Sequence, residues 1–88
     1  MKRVFKYPIE VTDVQTVDAP ADWEPLSVQM QGETLCLWAL IDDDQPTTSH
    51  RVFVHGTGHE VHAGADRFVG TFQVGGGALV FHVFTEVK

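Results

Sequence analysis

The stretch TLCLWALI, residues 34–41, decides the fold class of this chain. In an extended strand, side chains alternate between two faces, and here both faces are apolar. The odd-numbered positions are all aliphatic, and the even-numbered ones include Cys36, Trp38 and Leu40. A strand that is apolar on both faces is typical of a central strand covered on both sides. We therefore expect residues 34–41 to lie in the middle of a sheet, with Trp38 in the core.

Six further short apolar segments flank this stretch, and Gly, Pro and Asp residues that favour turns separate them. No segment of ten or more residues has the spacing of an amphipathic helix. We predict seven strands, at residues 3–7, 13–17, 26–31, 34–41, 50–55, 67–74 and 78–87. Several short antiparallel strands joined by hairpin turns predict an all-β fold, either a small sandwich or a partly open barrel.

The length of 88 residues predicts a single β domain spanning residues 1–88, with enough apolar side chains for one core. Cys36 is the only cysteine, which fits a reducing cytoplasm and predicts neither a disulfide framework nor a cysteine zinc site. No apolar run approaches the roughly 20 residues that a membrane-spanning helix needs. We also expect no signal peptide, because no long apolar stretch follows the basic first residues.

The net charge of −6 is unevenly distributed along the chain. Between Lys6 and Arg51 there is no Lys or Arg, whereas nine acidic residues fall in that stretch. They are Glu10, Asp13, Asp18, Asp22, Glu24, Glu33, Asp42, Asp43 and Asp44. Proteins that bind nucleic acids or anionic membranes need a positive surface, so we expect no direct contact with either. An acidic surface suits a basic partner protein, and a solvated, solubilising surface is the alternative.

The sequence HGTGHEVH, residues 55–62, is the most unusual local feature. Two glycines flank Thr57, and such a loop lets backbone N–H groups turn inward and cradle an anion. The loop matches neither phosphate-binding fingerprint, since no Lys-Ser or Lys-Thr pair and no helix follow it. The alternative is a loop shaped by its glycines, whose polar side chains bond to its own backbone. We take as candidate contacts to a ligand or partner the residues His55, Thr57, Gly58 and His59.

Metal binding and catalysis both lack a supporting pattern. Four of the five histidines fall within residues 50–62, but their spacing matches no known zinc site, so we predict no metal and no cofactor. No serine lies in a nucleophile elbow, and we predict that the chain is not an enzyme. His82 interrupts an apolar strand, which favours a hydrogen-bonded structural histidine. If His82 and His59 lie close in space, the two frame a site, and His82 is a candidate contact on that ground.

Two further segments supply candidate contacts to a partner. Trp23 lies between acidic residues in a proline-rich connection, where we expect an exposed aromatic side chain suited to a protein interface. Asp42, Asp43 and Asp44 form a polar loop that lacks the spaced ligands and the glycine of a calcium loop. A charged turn is the simpler interpretation of this loop, and we keep its three residues as candidate contacts.

Several stretches together resemble a family of small proteins encoded by bacteriophages and prophages. They are residues 2–8, 15–16, 28–29, 35–40, 56–59, 70–73 and 79–84, so the resemblance covers almost the whole chain. It departs after His59, where this chain has Glu60-Val61-His62 and the family has a proline. The resemblance implies a phage origin and a location in the host cytoplasm. The family has no known biochemical role, so it assigns no reaction and no functional residue.

These observations predict a small, phage-encoded, non-enzymatic binding module that modulates or inhibits a host or defence protein through protein–protein contact. One alternative is a structural protein of the virion or capsid, since strands that are apolar on both faces also suit burial against another copy of the chain. Another alternative is a small-ligand or metal site at the HGTGH loop. The partner expected under the first hypothesis is a host or phage protein, of basic character if the acidic half makes the contact.

Overall fold

The computed structural model describes residues 1–87 and confirms an all-β fold with seven strands. They are β1 (Lys2–Ile9), β2 (Gln15–Pro20), β3 (Glu24–Gln31), β4 (Thr34–Asp42), β5 (Thr47–Gly56), β6 (Arg67–Val74) and β7 (Leu79–Thr85). A short 3-10 turn at Gly75–Gly77 joins the last two strands. No helix in residues 1–87 has the length and apolar character needed to cross a membrane.

The strands form two antiparallel sheets that pack face to face as a sandwich, and they do not close into a barrel. One sheet has three strands in the order β1-β4-β3, and the other has four in the order β2-β5-β7-β6. The central position predicted for residues 34–41 is confirmed, because β4 pairs with β1 on one side and β3 on the other.

The core lies between the two sheets, and one face of β4 forms its centre. Leu37 and Ala39 point into it and are fully buried, as are Val52 of β5 and Val83 of β7 on the opposite sheet. Burying a large aliphatic side chain contributes about 1.5–3 kcal/mol relative to leaving it exposed. The cluster comprises Ile9, Val17, Ala19, Trp23, Val28, Leu35, Leu37, Ala39, Ile41, Val52, Val54, Phe72 and Val83.

The expectation that Trp38 lies in the core is wrong. Trp38 and Leu40 are only half-buried, because they point away from the four-stranded sheet. A sandwich of two sheets buries one face of each sheet and leaves the other face outside. Both faces of β4 are apolar, but only the face bearing Leu37 has a second sheet packed over it.

Gly70 of β6 permits a close approach between the edges of the two sheets. A Cβ atom at this position would lie 2.9 Å from Cγ2 of Val28 on β3, closer than van der Waals contact allows. Glycine in a strand often marks such an approach of another chain segment. The missing side chain therefore helps β3 and β6 to pack together.

We expect Gly70→Ala to lower the free energy of unfolding by about 1–3 kcal/mol, because the added methyl group overpacks the contact with Val28. Urea denaturation of the wild type, G70A, V28A and V28A/G70A measures this cost and its coupling. The cost of G70A should be smaller in the V28A background, where the clashing methyl is absent. An equal loss of stability in both backgrounds would show that contact with Val28 is not the reason why residue 70 must be glycine.

Candidate functional site

The HGTGH loop meets the last strand through a chain of three polar side chains. Thr57 Oγ1 lies 2.7 Å from Nε2 of His82, and Thr71 Oγ1 of the neighbouring strand β6 lies 2.9 Å from Nδ1. Thr71 and His82 are cross-strand partners in the sheet register. A neutral imidazole donates from one nitrogen and accepts at the other, and a threonine hydroxyl satisfies either role. Both ring nitrogens of His82 are therefore hydrogen-bonded, and the pair Thr57–His82 is brought together as one unit.

His55 and His62 instead bind the loop's own backbone. The N–H of His62 donates to Nε2 of His55 at 3.2 Å, and the N–H of Gly64 donates to Nδ1 of His62 at 2.9 Å. His55 is 6% exposed, and the His62 ring stacks on Phe53 with centroids 4.8 Å apart. Sequence reasoning missed the role of His62. The sequence signal for this role was Phe53, because an apolar side chain on the outward face of β5 has to be covered by a nearby segment.

His59 and Gly58 lie on the exposed side of the same loop. Gly58 has a φ of +85°, in the left-handed region that favours glycine. The ring of His59 packs against Gly56, where a Cβ atom would approach it to 3.0 Å. No hydrogen bond joins His59 to His82 within residues 1–87, and a site framed by these two histidines stays a prediction.

Within the described residues 1–87, the histidines do not converge on a common point where three of them could ligate one ion. The one group of three such side chains in that range is Asp42, Asp43 and Asp44. Their carboxylates already have cationic partners. The Met1 ammonium lies 3.0, 3.1 and 3.3 Å from Asp42, Asp43 and Asp44, and Arg3 Nε lies 2.7 Å from Asp43.

These contacts change the titration of the groups involved. Hydrogen bonds from the ammonium to Asp42 and Asp43 raise the pKa of the Met1 amino group to about 10. The pKa of Asp42 is lowered, first by the N–H of Asp44 and then by the ammonium. The pKa of Asp43 is lowered, first by its hydrogen bond from Arg3. The acidic loop thus folds back on the start of β1, and its role as a partner contact stays a prediction.

The prediction that Trp23 is exposed is wrong. Trp23 is 8% exposed and packs between Tyr7, at 5.7 Å edge to face, and His50, at 4.6 Å in a stack. It stands just before β3, where the chain crosses the open end of the sandwich, and the indole closes the core there. His50 Nε2 lies 3.2 Å from the carbonyl oxygen of Ala19 and 3.1 Å from that of Pro20. A carbonyl only accepts, so this nitrogen carries the proton.

A cavity of about 210 Å³ lies beside Trp23 and His50, with the charged side chain of Arg67 at its border. Arg67 Nη2 donates to the carbonyl oxygen of Pro25 at 3.2 Å. Thr85 also borders the cavity, but its hydroxyl oxygen is itself buried and has no hydrogen-bond partner among residues 1–87. The cavity therefore does not present this hydroxyl to a ligand.

The outward side of the three-stranded sheet is an apolar surface that no strand covers in residues 1–87. We call it the outer face and define it by Val4 of β1, Leu26 of β3, and Trp38 and Leu40 of β4. Val4 is 56% exposed and Leu26 is 45% exposed, while the other two are half-buried. Register places Val4 beside Leu40 and places Lys6 and Ser27 beside Trp38, and Leu26 is the unpaired residue of the β-bulge between Pro25 and Ser27.

Acidic side chains border the outer face at one end. Glu24 lies beside Leu40 in the register, and Asp42 lies beside Lys2 in the last row of the sheet. The segment around Asp22 meets the acidic loop at the same end, where the N–H of Ala21 donates to the carbonyl oxygen of Pro46 at 2.8 Å. The apolar centre of the outer face is thus flanked by Lys6 and Ser27, and Glu24 and Asp42 lie at this end together with Lys2.

Comparison with known proteins places the chain in a family without assigning it an activity. The model of a family described as Domain of unknown function (DUF7352) matches residues 1–88, so the chain belongs to this family. No curated protein matches the chain. No solved structure matches it either.

Replacing Arg3 by Gln should raise the pKa of Asp43 toward its ordinary value, because the guanidinium that lowers it is lost. An NMR titration of the Asp43 carboxyl carbon measures this, and Lys2→Gln is the matched loss of one charge. Since the folded-state pKa is lowered, the pair stabilises the fold at neutral pH and loses that contribution as the pH falls through the folded-state value. Both side chains are largely exposed, so the effect on stability should be small. An unchanged pKa in R3Q would contradict the contact.

Replacing Thr85 by Val should raise the free energy of unfolding by about 1 kcal/mol, because an isosteric methyl replaces a buried hydroxyl without a partner. Denaturant titration measures the change. Thr85→Ser, which keeps the hydroxyl and loses the methyl, should be destabilising. If T85V also destabilises the fold, the hydroxyl has a bound partner that the protein groups do not supply.

Proposed function

We propose that this member of a family of unknown function is a non-enzymatic module that binds another protein through the outer face. The observation that carries the proposal is the exposure of Val4 and Leu26 beside half-buried Trp38 and Leu40, on a sheet face that no strand of residues 1–87 covers. Contiguous apolar surface of this kind marks sites of interaction when polar residues border it. Trp is also the residue type most enriched among the side chains that dominate binding energy.

The shape of the outer face favours a folded protein as the occupant. The face is one side of a sheet, and none of the four residues that define it lines the cavity beside Trp23 and His50. Small ligands are usually held in concave pockets that bury most of their surface. A protein partner instead covers a flat area and excludes water from its centre.

Charge points to the chemistry of the partner. The chain has a net charge of −6, and Asp22 and Glu24 lie at one end of the outer face, where Asp42 is already paired with the Met1 ammonium. A complementary surface has an apolar centre bordered by Lys or Arg at the matching end, and such a pairing speeds association and fixes orientation. The resemblance to phage proteins supports a host or phage protein as this partner, met in the host cytoplasm.

A binding role is also supported by how the polar side chains of the HGTGH loop are used. His55 and His62 accept backbone N–H groups, and Thr57 and His82 bond to one another. These hydrogen bonds hold the loop in place. They favour the alternative in which the glycines shape the loop and its polar side chains bond within the protein. The proposal therefore assigns them no catalytic step.

The test identifies the partner and then maps the contact. The tagged chain is used to purify complexes from the infected bacteria that the phage resemblance indicates, and the partner is identified by mass spectrometry. Calorimetry with the purified partner then compares the wild type with V4S/L26S and with V11S/L79S, a matched pair of exposed apolar positions outside the outer face. We expect V4S/L26S to weaken binding about tenfold or more, and V11S/L79S to leave it unchanged.

Two results would overturn this proposal. One is equal affinity of V4S/L26S and the wild type for the partner. The other is recovery only of virion proteins or of a self-assembled oligomer, which would favour the structural role. As a test of charge, D22N/E24Q should slow association and reduce its dependence on salt, because these carboxylates steer a basic partner.

A further inference from the structure

We propose that residues 57–66, the lid loop, form a pH-sensitive cover that opens when its two backbone-binding histidines take up protons. The lid loop connects β5 to β6 and folds back over the outward side of the four-stranded sheet. It does not touch the outer face of the other sheet, so this inference is independent of the proposed binding function.

Two hydrogen bonds hold the middle of the lid loop, and a histidine is the acceptor in both. The N–H of His62 donates to Nε2 of His55, and the N–H of Gly64 donates to Nδ1 of His62. A ring nitrogen that accepts an N–H carries no proton of its own, so both rings are neutral in the closed loop. Nδ1 of His55 and Nε2 of His62 then carry the ring protons.

Protonation reverses the role of these nitrogens. In the imidazolium form both ring nitrogens are donors, so the N–H groups of His62 and Gly64 would face another N–H. Histidine is the side chain that ordinarily changes charge between about pH 5 and 8. Acid therefore removes both acceptors at once, and closure of the lid loop weakens as the pH falls.

The charged surroundings leave the two rings without a fixed counter-ion. Asp13 and Glu60 line the same cavity of about 480 Å³ as His55, His59 and His62. No ion pair to a histidine forms within residues 1–87.

The other groups near the rings are cationic, titratable or already engaged. On the side of β5, Arg51 lies 5.4 Å from the Phe53 centroid, and its Nε is paired with Oε2 of Glu86 at 2.9 Å. On β7, His82 is the cross-strand neighbour of His55, and both of its ring nitrogens are bonded to threonine hydroxyls. Asp66, at the end of the lid loop, accepts the N–H of Val87.

Opening of the lid loop would uncover an aromatic surface. Phe53 has no exposure and lies under the stacked ring of His62. Its cross-strand neighbour Phe84 contacts Phe68, with centroids 5.5 Å apart, and Phe68 is already 56% exposed. Release of the cover would join these three rings into one exposed patch.

The test is hydrogen exchange of backbone amides, measured by NMR at pH 7.5 and pH 5.5 and corrected for the intrinsic pH dependence. We expect the protection of the His62 and Gly64 amides to fall about tenfold at the lower pH, because each N–H loses its acceptor when the imidazole takes up a proton. Amides of β4 should keep their protection, which shows that the sandwich itself stays folded. Binding of a dye specific for apolar surface should rise over the same range.

The matched variant is H55Q/H62N, which keeps an acceptor oxygen at each position and removes the titration. An Asn side chain accepts the N–H two residues on, as His62 does here. We expect this variant to keep its lid loop protected at pH 5.5. The control is H59N, which alters a histidine that accepts neither N–H and should respond to pH as the wild type does.

Two results would overturn the proposal. One is equal protection of the wild type at both pH values, and the other is a pH response that is retained in H55Q/H62N. If the double variant fails to fold, nuclear Overhauser effects between the His62 and Phe53 rings are followed in the wild type as the pH is lowered. Loss of these effects supports opening of the lid loop, and their persistence overturns the proposal.

Discussion

The burial of one face of β4 against the four-stranded sheet is the contact on which the rest of the molecule depends. Leu37 and Ala39 are fully buried there, opposite Val52 and Val83 of the other sheet. A chain of 88 residues can build only one such core, since small domains bury a limited fraction of their surface. Two sheets have four faces, and this single core uses two of them. What covers the two remaining faces therefore determines how much apolar surface is exposed to a partner.

The two remaining faces are treated differently. On the four-stranded sheet, Phe53 points outward, and the lid loop folds back to bury it, with the ring of His62 as the contacting group. On the three-stranded sheet, Val4 and Leu26 stay exposed beside Trp38, and no strand of residues 1–87 covers them. The cover is partial, since Phe68 in the same row stays 56% exposed, whereas the outer face has no strand over it in residues 1–87. This asymmetry supports the proposed binding role more directly than the sign of the charge does.

Local patterns in the sequence predicted the strands but not which faces they bury. Alternation and turn residues located all seven strands, and the two-sided apolar character of residues 34–41 placed β4 at the centre of a sheet. The same pattern could not tell a face covered by a second sheet from one left for a partner, so Trp38 was expected in the core. Trp23 was expected to be exposed because its neighbours are acidic. Its burial arises from Tyr7 and His50, which are distant in sequence and meet only in the folded chain.

The histidines show why the chemistry of a site is harder to predict than its location. The sequence placed His55, Thr57 and His59 in one glycine-rich loop, and the structure brings Thr57 to His82 across the sheet. What a histidine does there depends on which partner each ring nitrogen meets, and that partner is a backbone N–H for His55 and a hydroxyl for His82. An acceptor role toward backbone amides makes a histidine structural at neutral pH and sensitive to acid at the same time. His55 and Thr57, which the sequence offered as ligand contacts, instead make hydrogen bonds within the protein, to the N–H of His62 and to the ring of His82.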